Sequence, residues 1–427
     1  MQFQEFRFDP RILSAVNAFG WEEPTPIQQQ ALPPALAGRD VLGLARTGSG
    51  KTAAFLLPII ERLAAGPRRR VRALIIAPTR ELAEQTHQAA TALGRAVGLR
   101  SVAIYGGVGA NPQVAALREG REIVVACPGR LLDHVAQRKI DLSAVEVLVI
   151  DEADRMFDMG FLPDVRRIVR AVPALRQTLL FSATMPAEIR HLAAEMLREP
   201  ATVQVDHGRP AETVTHALYP VPGHLKSALL LELLRGTATE SVIVFTRTKH
   251  RAKKVGQLLE RAGHRATSLQ GNLSQNRRQA ALDGFRNGTY TVLVATDIAA
   301  RGIDVTQISH VINYDITDTV DAYTHRIGRT GRLAKTGDAF TLLAPEDGAM
   351  VRAIERVLGE PIERRTLPGF DYRAPAPARA ADDRPGRTQA RAGRSRRPAP
   401  PPAAPARGRG SRLTPDSRCD LISPTAR

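Results

Sequence analysis

Short runs of branched apolar residues alternate with longer, mixed stretches along the first 370 residues of the chain. Each run is long enough for one strand, and the stretches between the runs are long enough for helices. This alternation predicts βαβ units, which build a parallel sheet with helices on both faces. The predicted strands are 41–45, 73–77, 102–105, 123–126, 147–150 and 178–181 in a first series, and 242–246, 291–295, 310–314 and 339–343 in a second.

The two series predict two α/β domains in tandem. We place the first domain at residues 1–207, a linker at 208–223 and the second domain at 224–370. The linker prediction rests on a cluster of residues that break helices and strands, namely Gly208, Pro210, Pro220, Pro222 and Gly223. Residues 371–427 are rich in Pro, Ala, Gly and Arg and have almost no side chains large enough for a core, so we expect a disordered tail.

The chain is strongly basic, with a net charge of +17 over 427 residues and a sequence pI of about 10.8. The tail supplies +8 of this charge, because it holds 13 Arg against 5 Asp. A charge of this size indicates a polyanionic partner such as a nucleic acid. A membrane surface is the competing partner, but no stretch has the pattern of an amphipathic basic helix.

The cysteines and the N-terminal residues indicate the cellular compartment in which the protein is expected. Cys127 and Cys419 lie too far apart in the sequence to indicate a disulfide framework or a zinc site. The first residues contain no apolar signal segment, and no apolar run approaches the roughly 18 residues of a membrane span. We therefore expect a cytoplasmic protein in a reducing compartment.

Acidic residues follow directly on the apolar strand predicted at 147–150: Asp151, Glu152 and Asp154. Ionised carboxylates at the tip of a buried strand need a partner, because burying an unpaired charge is costly. A magnesium nucleotide at the carboxyl edge of a parallel sheet supplies such a partner. We expect Asp151 to hold the metal and Glu152 to polarise the attacking water. Taken alone, the segment is equally compatible with a solvated acidic turn.

A Gly-rich loop, ARTGSGKT, follows the first predicted strand. Gly48 and Gly50 permit a tight turn that directs backbone N–H groups inward. Lys51 brings a positive charge to the β- and γ-phosphates, and the Thr52 hydroxyl can bind Mg²⁺. Ala45 stands where the strict phosphate-loop pattern has Gly. With the acidic strand end, the loop predicts a chain that binds and hydrolyses a nucleoside triphosphate through Ala45, Arg46, Thr47, Gly48, Ser49, Gly50, Lys51 and Thr52.

These motifs, with those described next, resemble the DEAD-box ATP-dependent RNA helicases, in order and in spacing, from about residue 3 to about residue 358. The segments PTPIQQQA, DRMFDMGF and NLSQNRR resemble the bacterial RhlE-type subgroup. The resemblance implies two RecA-like domains, with ATP and Mg²⁺ as cofactors and RNA as the partner.

The segment from Gly20 to Gln28 resembles the adenine-reading motif of the family. An amide is both a donor and an acceptor, so Gln28 matches the N6/N7 edge of adenine. The aromatic residue that the family carries upstream corresponds to Phe3, seventeen residues before Gly20. A Phe that simply packs the N-terminal segment is the alternative.

Three loops of the first domain resemble the family's grip on the RNA backbone. Arg, Thr hydroxyls and glycine-exposed N–H groups bind phosphates without reading bases. The candidate residues are Pro78, Thr79, Arg80, Gly107, Pro128, Gly129 and Arg130. Cys127 stands where the family commonly has Thr, which removes one hydroxyl contact.

The remaining motifs are assigned by resemblance. Asp154, Ser182 and Thr184, with His325 and Arg326 of the second domain, would couple the state of ATP to strand separation. Hydroxyls near a strand end are also common caps. In the second domain, Thr296 would contact RNA phosphate and Asp304 the ATP ribose. The motif HRIGRTGR supplies His325, two arginine fingers at Arg329 and Arg332, and Arg326, which we expect in the network around the acidic strand end.

The sequence therefore predicts an RNA-dependent ATPase with local, non-processive unwinding. Two alternatives remain open: a DNA-directed translocase with the same paired domains, and an ATP-gated RNA clamp or annealing chaperone. Ribosome assembly, mRNA decay and cold adaptation are all compatible pathways, so ribonucleoprotein or RNA-decay partners are expected.

Overall fold

The computed structural model describes residues 2–45, 48–205, 214–236, 240–300, 308–330 and 337–375. Two seven-stranded sheets dominate this part of the chain, one in each half. Every strand pairing in both sheets is parallel. The α/β fold with two parallel-sheet domains in tandem is confirmed. The predicted tail lies outside the described residues from 376 onward.

The first sheet has the strand order β3-β4-β2-β5-β6-β1-β7. Its strands are β1 Val41–Leu44, β2 Ala73–Ile76, β3 Ser101–Ile104, β4 Ile123–Ala126, β5 Val147–Ile150, β6 Gln177–Ser182 and β7 Ala201–Gln204. The helices that accompany it are α1 Pro10–Ala18, α2 Pro26–Leu36, α3 Lys51–Ala64, α4 Arg80–Arg95, α5 Ala110–Arg118, α6 Pro128–Ala136, α7 Ala153–Asp158, α8 Leu162–Ala171 and α9 Ala187–Met196. A 3₁₀ helix, Phe3–Phe6, precedes α1.

The second sheet has the strand order β10-β11-β9-β12-β13-β8-β14. Its strands are β8 Val214–Pro220, β9 Val242–Phe245, β10 Ala266–Leu269, β11 Val292–Ala295, β12 His310–Asn313, β13 Gly337–Leu343 and β14 Glu363–Arg364. The accompanying helices are α10 Lys226–Gly236, α11 Lys249–Arg261, α12 Gln275–Arg286, α13 Asp297–Ala300, α14 Val320–Ile327 and α15 Gly348–Leu358. Two 3₁₀ helices, Gly223–Leu225 and Pro345–Asp347, complete the half.

The central strands are apolar on both faces because helices cover both faces. In β5, Val147 and Val149 belong to one hydrophobic cluster, and Leu148 and Ile150 belong to the cluster on the opposite face. This follows from the two-residue repeat of a strand, which sends successive side chains to opposite sides of the sheet. The same alternation recurs in β9, whose residues divide between the two large clusters of the second half.

Two differences from the sequence prediction concern the domain borders. The predicted linker overlaps β8, which pairs along its whole length with β13. Beyond the second sheet, Phe370 and Tyr372 pack edge to face with ring centroids 4.9 Å apart and lie against the core, so the packed chain continues past residue 370. Within the described residues, no helix is long and apolar enough to cross a membrane.

Candidate active site and nucleic-acid interface

The candidate residues of the first domain lie along the carboxyl edge of the first sheet. Residues assigned to the nucleotide phosphates and metal follow β1 and β5, whereas those assigned to RNA follow β2, β3 and β4. Since the strand order is β3-β4-β2-β5-β6-β1, the two groups occupy adjoining halves of one edge. A crevice at the carboxyl ends of parallel strands is where α/β sheets bind ligands.

The phosphate loop is held by the helix before it. Thr25 Oγ1 donates to the carbonyl of Ser49 (2.8 Å), and Gln28 Nε2 donates to that of Gly50 (3.0 Å). Gly50 has φ +95°, and a Cβ there would lie 2.5 Å from the Gln28 amide nitrogen. Glycine is therefore required both by the left-handed backbone and by the close approach. Arg46 and Thr47 lie outside the described residues.

Two buried ionisable side chains at this edge have polar atoms without a partner among the described residues: Lys51 Nζ and Asp151 Oδ1. Lys51 is the first residue of α3, and Asp151 follows the last residue of β5; they are 5% and 2% exposed. Burial raises the pKa of Asp151 to about 6, although the ammonium of Lys51 opposes this. Unsatisfied buried donors and acceptors are rare in folded proteins, and an oppositely charged pair of them at the carboxyl edge of a parallel sheet suits a charged ligand.

Glu152 occupies a left-handed backbone conformation with φ +55° at the start of α7. Its carboxylate accepts a hydrogen bond of 2.5 Å from Arg155, one turn further along, and both side chains are 3% exposed. A non-glycine residue in this region carries backbone strain, which clusters at functional sites. The carboxylate is thereby held next to Asp151 in a fixed orientation.

Asp154 joins the ends of β5 and β6. Its Oδ2 accepts hydrogen bonds from the backbone N–H groups of Ala183 (3.1 Å) and Thr184 (2.9 Å) and from the Thr184 hydroxyl (3.1 Å). Its own N–H donates to Ser182 Oγ (3.2 Å), which in turn donates to the carbonyl of Thr184 (2.8 Å). The structure thus brings together three of the five residues predicted as a coupling group, Asp154, Ser182 and Thr184.

The two residues assigned to adenine, Gln28 and Phe3, are both buried. Gln28 is buried, and its Oε1 accepts from the N–H of Thr25 (2.9 Å) while its Nε2 contacts the phosphate loop. Phe3 is 1% exposed and lies within the hydrophobic core, with its ring centroid 6.4 Å from that of Phe6. This is the placement that the packing alternative describes. Ala45 is also buried, and its N–H donates to the carbonyl of Ser182 (3.0 Å).

Two of the loops assigned to RNA meet at Arg80. Pro78 and Thr79 are buried between β2 and α4, and the Thr79 hydroxyl caps that helix by accepting from the N–H of Leu82 (3.3 Å). Gly107 has φ +79°, and a Cβ at this position would lie 2.0 Å from Arg80 Nη1. The guanidinium therefore lies against a glycine turn that only glycine permits.

The third loop follows β4. Pro128 is the first residue of α6, Gly129 is exposed, and Arg130 donates to the carbonyl of Val108 (3.3 Å), which ties this loop to the glycine turn. Cys127 precedes the helix and makes no side-chain capping bond. Burial, followed by the nearby Glu81 carboxylate, raises the pKa of the Cys127 thiol to about 12.

In the second domain, Arg326 is a correction. It forms a bidentate ion pair with Asp297 (2.5 and 2.7 Å) and donates to Asn313 Oδ1 (3.0 Å) and to the carbonyl of Asp315 (2.7 Å). We expected it in the network around the acidic strand end of the first domain. Carboxylate, amide and carbonyl oxygens of its own domain satisfy it instead, because α13 presents Asp297 directly after β11.

A small cavity of about 20 Å³ links the two domains. Arg155 of the first domain lines it together with His325 and Arg329 of the second. Its volume has room for about one water molecule. Burial lowers the pKa of His325 to about 4, helped by the positive charge of Arg155. Thr296 is half-buried between β11 and α13, whereas Asp304 and Arg332 lie outside the described residues.

A second contact between the domains was not predicted from the sequence. Arg278 on α12 forms an ion pair of 2.6 Å with Glu81 on α4, with side chains 11% and 5% exposed. Beside it, Arg80 Nη1 lies 3.5 Å from Gln275 Oε1. The segment NLSQNRR, which contains Gln275 and Arg278, was used only for the resemblance. Its two adjacent arginines, Arg277 and Arg278, were the available signal.

Known proteins share this architecture. The family described as DEAD/DEAH box helicase matches residues 25–192, and the one described as helicase conserved C-terminal domain matches residues 225–334. The DEAD-box ATP-dependent RNA helicase CshA of Bacillus subtilis is 42% identical over 371 residues, which are 86% of this chain and 75% of that protein. The ATP-dependent RNA helicase CshA of Listeria monocytogenes is 41% identical over 372 residues, 87% of this chain and 71% of that protein.

A solved structure is similar over the same length. Dbp5 of S. cerevisiae, bound to RNA and ADP BeF3, has a TM-score of 0.77 and 29% identity, and the match covers 86% of this chain and 95% of that one. The two RecA-like sheets, their motifs and these relatives lead to one conclusion: the chain belongs to the DEAD-box ATP-dependent RNA helicase family.

Proposed function

We propose that this chain is an RNA-dependent ATPase that separates short RNA duplexes locally and does not travel along them. The observation that carries the proposal is the unsatisfied pair of buried atoms, Lys51 Nζ and Asp151 Oδ1. An ammonium and a carboxylate without partners suit a ligand that brings both anionic phosphates and a cation. The adjoining half of the same sheet edge carries the loops suited to a nucleic-acid backbone.

The metal in this proposal is Mg²⁺. Mg²⁺ keeps several of its waters and needs only one or two protein oxygens. The Thr52 hydroxyl and Asp151, at the start of α3 and the end of β5, are the residues we assign to it. Bound there, Mg²⁺ would neutralise charge on the β- and γ-phosphates. The residues present therefore fit the ion.

We assign the chemical roles as follows. Lys51 and the backbone N–H groups of the phosphate loop hold the phosphates at the positive end of α3. Glu152, oriented by its ion pair with Arg155, positions the attacking water. Arg329 of the second domain, with Arg332, stabilises charge on the transferred phosphoryl group, which arginine fingers do by on the order of 10³–10⁵ in rate. Gln28 recognises adenine and Asp304 the ribose.

The RNA roles go to the loops that follow β2, β3 and β4 and to Thr296 of the second domain. Arginine, hydroxyl and backbone N–H groups suit phosphates, so binding is expected to be insensitive to base sequence and to weaken steeply with salt. Asp154 supports coupling between the two ligands, because its bonds to Ala183 and Thr184 join the end of the nucleotide strand to the next strand.

Closure of the cleft between the domains is central to the proposal. Residues of both domains line the cavity at Arg155 and Arg329, so neither domain alone completes the site. ATP and RNA would then both favour the closed arrangement. By reciprocity, the factor by which RNA raises the affinity for ATP equals the factor by which ATP raises the affinity for RNA.

Steady-state ATPase activity tests the proposal, measured without nucleic acid, with single-stranded RNA and with single-stranded DNA. We expect stimulation by RNA alone, and a loss of on the order of 10²–10⁴ in turnover for Glu152→Gln, which removes the charge that polarises water. Retained binding of RNA and ATP by this variant would show that it is folded. Equal stimulation by DNA would instead favour the translocase, and RNA binding without stimulation would favour the clamp.

Three finer assignments remain proposals. The RhlE-type subgroup is supported by PTPIQQQA, DRMFDMGF and NLSQNRR, whereas the relatives quoted above carry the name CshA. Ribonucleoprotein or RNA-decay partners and a cytoplasmic location are the others. Recovery of RNA and proteins bound to the Glu152→Gln variant in cells would test the assignment of partners, since a trapped complex retains them.

A further inference from the structure

A groove of about 480 Å³ lies between α4 and the beginning of β3. Ser101 is the first residue of β3, and Arg121 shortly precedes β4, so the groove is at the amino edge of the first sheet. The proposed ATP and RNA contacts are at the carboxyl edge. Helix α4 connects the two, with Arg80 at one end and Arg95 at the other, roughly 22 Å apart along its axis.

The lining of the groove is strongly cationic. Arg95, Arg100 and Arg121 all line it, and no carboxylate does. Arg100 is held in place because its Nη2 donates to the carbonyls of Glu119 (3.0 Å) and Gly120 (2.7 Å). These guanidiniums therefore form a concentrated positive charge at a site that the proposed reaction does not use.

An ion pair holds Arg121 in place, but one of its nitrogen donors has no acceptor among the described residues. Its Nη2 forms an ion pair of 2.6 Å with Glu119, whose side chain is 59% exposed. Its Nη1 is buried and has no acceptor among the described residues. The Arg121 side chain as a whole is 16% exposed, so its positive charge acts on the groove although the Nη1 donor itself is closed to solvent.

Hydroxyl and imidazole groups lie beside the arginines. Ser101 Oγ is 2.7 Å from His87 Nδ1 and 2.7 Å from Thr91 Oγ1, and the Thr91 hydroxyl donates to the carbonyl of His87 (2.8 Å). Burial lowers the pKa of His87; the nearby Glu84 carboxylate opposes this shift and the charge of Arg121 adds to it. Arginines with Ser and Thr hydroxyls are the usual donors to backbone phosphates.

We propose that this groove binds backbone phosphates of RNA that extends beyond the cleft. The inference rests on RNA as the substrate of the proposed function. Leu99 is the only large apolar residue in the lining and no aromatic residue contributes, whereas the centre of a protein–protein interface is apolar and aromatic. The groove therefore suits phosphate contacts that are blind to base sequence. It extends the RNA footprint along α4 to the opposite edge of the sheet.

The test compares RNAs of two lengths on the full chain. A single strand of about 10 nucleotides would occupy the cleft alone, and one of about 40 nucleotides would reach the groove. The variant is Arg95→Gln with Arg121→Gln. The control is Arg167→Gln with Arg190→Gln, which removes the same charge from exposed positions of the same domain.

We expect the groove variant to bind the long RNA about tenfold more weakly and the short RNA as tightly as the unchanged protein. The dependence of log affinity on log salt for the long RNA should fall by roughly 1.4, which is 0.7 for each lost phosphate contact on a single strand. The control should change neither value. ATPase stimulated by the short RNA should keep its maximal rate.

Unchanged affinity for the long RNA, or an equal loss in the control, would overturn the proposal. Arg95→Glu alone guards against misfolding, because Arg95 is exposed and its replacement removes no core contact. This variant should also weaken long-RNA binding selectively. Absence of any RNA-stimulated ATPase would refute the proposed function, whereas the length-dependent binding would still decide the role of the groove.

Discussion

The ion pair between Arg278 and Glu81 should control closure of the cleft, and Arg278→Met tests this. Methionine keeps most of the length of the side chain and removes its charge. In the closed structure Glu81 would then be left buried, with a side chain only 5% exposed and its nearest cationic partner lost. Opening the cleft would return this carboxylate to water, so the substitution should favour the open arrangement.

The expected change in the free energy of cleft closure follows from the burial of the Arg278–Glu81 ion pair. Removing one partner of a fully buried ion pair costs about 3–5 kcal/mol. Arg278 retains 11% exposure and its remaining bonds, to the carbonyls of Gln270 and Ala299, are long at 3.4 Å. We therefore expect roughly 2 to 3 kcal/mol against closure, which corresponds to roughly a 30- to 150-fold shift in the equilibrium.

The assay is RNA affinity measured with and without a non-hydrolysable ATP analogue. With the analogue, the affinity of Arg278→Met for RNA should fall by this factor; without it, the cleft is open and the affinity should be unchanged. Arg277→Met is the matched control, because it removes an exposed arginine from the same helix. A double-mutant cycle with Glu81→Gln isolates the pair. If the two substitutions are additive, the ion pair does not hold the cleft closed.

Three further predictions concern single positions of the first domain. Asp151→Asn should raise the unfolding free energy of the metal- and nucleotide-free protein at pH 8 by up to about 3 kcal/mol. The pKa of Asp151 is raised from 3.8 to about 6, so its ionisation lowers stability as pH rises through that range. The gain, measured by denaturant unfolding, should vanish near pH 4. Gly107→Ala should displace Arg80 and weaken RNA binding about tenfold by titration, whereas Gly106→Ala, whose Cβ would lie 3.7 Å from the same guanidinium, should not. Cys127 has a pKa raised to about 12, so it should resist alkylation at pH 8 in the folded protein and react after unfolding, as located by peptide mass spectrometry. Rapid labelling of the native chain would contradict the raised pKa.

The sequence predicted every internal strand of the two sheets except β8, and one edge strand, β3. β4 and β5 were predicted to the residue, because their four apolar residues are all buried. β7 and β10 were missed, and both lie at the edge of a sheet. An edge strand has one neighbour and is partly exposed, so polar residues interrupt its apolar pattern; in β7 only Val203 is buried. β8 was not predicted, because the prolines and glycines around it indicated a linker.

A site residue could be proposed from the sequence where it lies in a motif that is recognisable by itself. The bonds of Asp154 to the end of β6 join two motifs that had each been recognised by themselves. The partner of Arg326 was not predictable, because Asp297 and Asn313 come from different strand ends and neither has a distinguishing pattern. The pair Glu81–Arg278 joins residues 197 positions apart, and only the folded arrangement of two domains brings them together.

Arg80 and Glu81 are consecutive residues at the first turn of α4, one assigned to RNA and the other joined to the opposite domain. A rigid helical turn cannot move one without the other. The interdomain bond and the RNA contact are therefore coupled through one helical turn, and RNA should stay bound longer while the cleft is closed than after it opens. Substitutions that weaken the ion pair should shorten the time for which RNA stays bound with ATP and leave its dissociation from the open protein unchanged.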